Sequence, residues 1–234
     1  MGMRKLLLII SILFSTAMVA QSPMHKLIRK KAASGSYPDT VAKFFFTKSG
    51  SDVSGWVRMN GDPLTSVLTG TTNGITVSTV ATGDSYWNDN GVTESSGYVA
   101  GSGANLMFPG MVNSGWYFHA LGAPTAPNMS ISGLNPSGTY EIYISSNREG
   151  ASDNRLTKIS VVDSVGTTAR TSINSAPSSN ASGADYNQSS SNGTVIWFTG
   201  RRPKSTGIIE LIIERHNSSW TYGYINGLVI VRTS

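Results

Sequence analysis

The sequence predicts an all-β chain whose main part folds as a β-sandwich behind an N-terminal export signal. Three observations predict it. From Pro38 onward, short apolar, aromatic or β-branched runs alternate with clusters of turn residues, which is how several short strands read in a sequence. Only 13% of the residues are charged, and Gly, Ser, Thr and Asn are abundant, a mixture suited to short strands joined by many turns. No segment after Pro38 carries the apolar spacing of a long amphipathic helix. With 234 residues the chain can bury one sizeable core. Its organisation reads as a signal peptide over 1–20, a basic linker over 21–37 and a single β-sandwich domain over 38–234.

The first segment has the export pattern: Arg4 and Lys5, an apolar run from Leu6 to Phe14, then small residues at Ser15, Thr16, Ala17 and Ala20. The run is shorter than the roughly 20 residues that span a bilayer, so removal after Ala17 or Ala20 is expected and no membrane span afterwards. Lys26, Arg29, Lys30 and Lys31 follow, in a stretch too short to be a stable helix alone. It reads either as a tether to an acidic surface or, preferably, as a solvated linker. Secretion or display at the cell surface is the expected location. The chain has no cysteine, which excludes disulfide staples, thiolate metal sites, a cysteine nucleophile and a lipid-anchored cysteine.

Among the strands, Val41 to Phe46 reads as the first, and Thr76 to Val80 as another behind the Thr72-Asn73-Gly74 turn. Tyr140, Ile142 and Ile144 alternate with Glu141, Tyr143 and Ser145, the period of a half-buried strand, fed by the turn Asn135-Pro136-Ser137-Gly138. Leu156 to Val162 is a further strand. Val195 to Thr199 is another, introduced by Asn192-Gly193 as a hairpin signal. The long apolar runs Ile208 to Glu214 and Tyr222 to Val231 are expected to pair antiparallel as central strands of one sheet. Ser172 to Ser191 reads as a long loop. About eight to ten strands in two sheets are expected.

The net charge of +5 is uneven. Residues 1–37 hold six basic residues and no acidic one, leaving 12 basic against 13 acidic, a net of −1, for the rest. A nearly neutral domain has no electrostatic footprint for a phosphate backbone, so nucleic acid is not an expected partner.

The run from Met129 to Tyr140, followed by Ile142 to Arg148 and Asn154-Arg155-Leu156-Thr157, resembles a segment of the galactose-binding-domain-like β-sandwiches of secreted and phage-encoded proteins of Bacteroidetes. Tyr222 to Ile230 is similar to their last strand, Trp56 with Asn60-Gly61-Asp62-Pro63 to their first loop, and Gly115-Trp116-Tyr117 to a mid-domain strand. The resemblance covers about residues 38–234. It implies a jelly-roll fold and a glycan-binding or accessory role, without a defined ligand site.

Catalytic patterns are weak. Gly83-Asp84-Ser85 has the residue types of a hydrolase nucleophile block, but no histidine base with a supporting carboxylate follows in the expected arrangement. His25, His119 and His216 lack metal-ligand spacing. Asp84, Asp89, Glu94, Glu149 and Asp153 carry carboxylates, yet nothing in the sequence pairs them for glycoside hydrolysis. A non-enzyme without a required cofactor is therefore expected. Asn88 to Gly91 and Glu149 to Asp153 supply oxygen ligands for calcium, but without the spacing of a dedicated loop, so turn formation is the preferred reading of both.

What remains is recognition. A sugar presents apolar C–H faces rimmed by hydroxyls, so its site needs an aromatic platform beside polar side chains. Tyr86, Trp87, Asn88, Asp89 and Asn90 supply that mixture, as do Trp220 and Tyr222, with Asn147 and Arg148 at a strand end. Trp56, Trp116 and Trp197 are read as core residues instead. The leading expectation is a non-catalytic carbohydrate-binding or adhesion module, its partner a glycan or cell-surface polysaccharide. The alternative is a structural or receptor-contacting protein of a phage virion or cell-surface assembly, with a homo-oligomer such as a trimer in view.

Overall fold

The computed structural model of the chain describes residues 40–46, 52–60, 66–79, 118–120, 126–146, 157–171, 195–215 and 223–234. They form an all-β sandwich without a helix. Strands β1 (Thr40–Phe46), β2 (Val57–Met59), β7 (Tyr140–Ser145), β10 (Val195–Arg201) and β13 (Gly227–Arg232) make a five-stranded sheet in the order β10-β7-β13-β1-β2. Strands β3 (Thr69–Thr72), β4 (Ile75–Thr79), β6 (Met129–Ser132), β8 (Thr157–Asp163), β9 (Gly166–Thr171) and β11 (Ile209–Arg215) make the six-stranded sheet β3-β4-β6-β11-β8-β9. A ribbon of β5 (Phe118–Ala120) and β12 (Gly223–Ile225) completes the described strands.

Alternation of side chains along each strand decides which residues face the interior. In the five-stranded sheet, register aligns Ile196, Ile144, Leu228, Phe44 and Val57 in one row across all five strands. Facing them are Ile75, Val77, Met129, Ile131, Ile159, Val161, Leu211 and Ile213 of the other sheet, all part of one apolar cluster. Burying each such side chain contributes about 1.5–3 kcal/mol. At the β2–β3 edge the layers pinch together: a Cβ on Gly70 would stand 2.6 Å from Met59 Sδ and 2.8 Å from a Val57 methyl. Glycine is needed there for space.

The expected strands at Val41, Thr76, Tyr140, Leu156 and Val195 correspond to β1, β4, β7, β8 and β10. Asn73 (φ 50°) and Gly74 (φ 76°) turn β3 into β4 through two left-handed residues, the geometry a two-residue hairpin of this hand requires. β10 pairs with β7, and the expected Asn192-Gly193 turn lies outside the described residues. Two readings need correction. β7 is not half-buried, because Tyr143 and Ser145 on its outward side are buried as well. The two long C-terminal runs do not pair.

β11 lies between β6 and β8, whereas β13 lies between β1 and β7 in the opposite sheet. The physical reason sits at Asn226, which is buried. Its N–H donates to the Ser145 carbonyl and its carbonyl accepts from the Phe46 N–H, so the chain turns a corner between β12 and β13 with its peptide groups satisfied. Each layer thereby gains an apolar central strand, which one hairpin would have placed in a single layer. Eleven strands in the two sheets, plus the ribbon, exceed the expected eight to ten because short edge strands such as β2 and β3 are too polar or brief to stand out.

Candidate ligand-binding site

Register gives the sandwich two unlike ends. At one, here the foot, the connections are short: Asn73-Gly74 and Ser164-Val165 join neighbouring strands, and residues 133–139 and 202–208 cross from one sheet to the other. They bond to one another. Leu134 N–H donates to Gly207 O, Ser164 N–H to Arg202 O, and Thr139 exchanges bonds with Thr233 and Ser234. Arg201 of β10 grips Asp163 of β8 with both Nε and Nη2 at 2.7 Å, and its Nη1 donates to Thr168. That buried pair ties the two sheets at the foot.

The other end, the head, is where Thr79, Ser146, Thr157, Thr171, Val195 and Arg215 stand. Tyr86, Trp87, Asn88, Asp89, Asn90, Asn147, Arg148, Trp220 and Tyr222, the residues singled out from sequence, lie outside the described residues. Their flanks are described. Thr79 precedes the first group, Ser146 and Thr157 bracket the second, and Arg215 and Gly223 bracket the third. Thr79, Ser146, Thr157 and Arg215 belong to the head, whereas Gly223 and Phe118, which follows the segment of the first group, belong to the ribbon.

The head is also where buried polar groups gather: Thr79, Asn128, Ser145, Ser146, Thr157 and Asn226. Several have a structural duty. Asn128 acts as a side-chain extension of β6, its Nδ2 donating to Ile213 O at 2.8 Å and its Oδ1 accepting from Ile213 N at 2.9 Å. Thr79 Oγ1 accepts from Leu68 N–H, and the Ser146 hydroxyl donates to that of Thr157 at 2.8 Å. On the outward side of the same end, Lys158 pairs with Glu214 at 2.6 Å.

A second surface escaped the sequence reading. Trp56 and Trp197, read as core residues, lie outside the apolar cluster and are only partly buried. Register places Trp197, Tyr143, Val229 and Lys43 in one row on the outside of the five-stranded sheet. The Tyr143 and Trp197 rings stack at 5.5 Å and 10°, and the Trp197 Nε1 donor is buried without an acceptor. Tyr143 donates to Glu141 at 2.6 Å. Burial first, and then the hydrogen bond and charge of Glu141, push the Tyr143 hydroxyl well above the usual phenol range. At the other end of the row, Lys43 Nζ stands 5.8 Å from the Trp56 ring centre. The signal that could have found this surface was period two itself: Lys43 and Phe45 sit on the side of β1 opposite Phe44.

Among the described residues, no three His, Cys, Asp or Glu side chains come together as a metal site, and no helix is long and apolar enough to cross a membrane. His119 lies in β5, opposite Tyr224; His25, His216, Gly83-Asp84-Ser85 and Trp116 lie outside the described residues.

No protein-family model and no curated protein matches the chain. Among solved structures, it is similar to the crystal structure of protein YXIM from Bacillus subtilis, at 15% identity and a TM-score of 0.41. The match covers 82% of this chain and 40% of that one, so this chain spans less than half the length of that protein.

Proposed function

We propose that the chain is a secreted, non-catalytic carbohydrate-binding or adhesion module that takes a glycan or cell-surface polysaccharide. The observation that carries this reading is that Thr79, Ser146, Thr157 and Arg215, the strand ends from which the segments holding Tyr86–Asn90, Asn147-Arg148 and Trp220–Tyr222 depart or to which they return, all lie at the head of the sandwich. By sequence, those segments carry the aromatic and polar residue types that a saccharide site requires. The foot, held by turn-to-turn bonds and a buried ion pair, supplies the rigid support that such a site needs. The resemblance to galactose-binding-like sandwiches agrees in direction.

The test is a glycan-array screen of the secreted chain, with and without calcium, repeated on Trp87→Ala and Trp220→Ala. Selective binding that survives chelation and is lost in either variant, with the thermal unfolding midpoint unchanged, is the expected outcome. Silence across a broad array removes the reading. Turnover of any glycan or ester by the same preparation overturns its non-catalytic part.

A further inference from the structure

We draw no further inference here: the strongest candidate, the rows of outward-facing hydroxyls Thr69-Ser78-Ser130 and Thr71-Thr76-Ser132 on the six-stranded sheet, carries nothing, because the Thr69–Ser78 and Thr71–Thr76 hydroxyls bond to each other at 3.1 and 2.9 Å and nothing in the structure shows what covers this face.

Discussion

The head and the foot of this sandwich are built from the same strands, yet they solve opposite problems. At the foot, connections of two to seven residues leave little chain to order, and their peptide groups bond to neighbouring turns. Its buried charges are the Asp163–Arg201 pair, whose side chains are 0% and 7% exposed. At the head the buried polar side chains are mostly hydroxyls and amides that secure strand ends, and a single bond between two hydroxyls, Ser146 to Thr157, joins the sheets among the described contacts. The difference teaches that stability and recognition can be divided along one axis: a fixed foot lets the sequence at the head vary in length and composition without loosening the core.

That division can be broken first at the foot. Asp163→Asn leaves the Arg201 guanidinium buried with a neutral partner, and a broken buried pair costs about 3–5 kcal/mol. A large fall in denaturation midpoint is expected, with glycan affinity of the remaining folded fraction unchanged. A loss below about 1 kcal/mol, the range of an exposed pair, would mean that the foot does not bear the load assigned to it.

A smaller effect is expected from Asn128→Ala, which strips partners from both the N–H and C=O of Ile213. Each buried group left unsatisfied costs about 1–3 kcal/mol, and urea denaturation reads the sum. Because Asn128 holds the end of β6 at the head, amide exchange should rise there before it rises at the foot. Uniform acceleration would erase the distinction between the ends.

Tyr143 gives a third and weaker test, from the outer sheet face. Its hydroxyl is held above the ordinary phenol range, so above about pH 10 the unfolded chain releases this proton while the folded chain retains it. Stability contributed by the neutral hydroxyl is therefore complete below that pH and declines as pH rises past it. Tyr143→Phe, which has no such proton, should lose less stability between pH 9 and pH 11 than the natural chain, on the order of 1 kcal/mol or more. Parallel pH curves would contradict the burial of this hydroxyl. Trp220→Ala at the head is expected to shift stability least, within about 0.5 kcal/mol, while removing binding.

Most of the strand pattern was legible because β-branched runs and turn pairs such as Asn73-Gly74 act locally. Pairing was less so. Ile208 to Glu214 and Tyr222 to Val231 look alike as apolar runs, and only the buried corner at Asn226 sends them to different layers; an asparagine in an apolar run was the clue. Trp56 and Trp197 looked like core because size and apolarity do not tell which side of a sheet a ring occupies. Register decides that, and register depends on partners distant in sequence. That Thr79, Ser146, Thr157 and Arg215 share one end was equally hidden, since it follows from strand direction rather than from any motif.

The central claim is best tested by hydrogen–deuterium exchange of the chain with and without the strongest glycan from the array. Added protection is expected at the strand ends of the head, around Ser145, Ser146, Thr157 and Asn226. The turns at 133–139 and 202–208 should stay unchanged. Protection confined to those foot turns would contradict the division of the molecule into a supporting end and a recognising one.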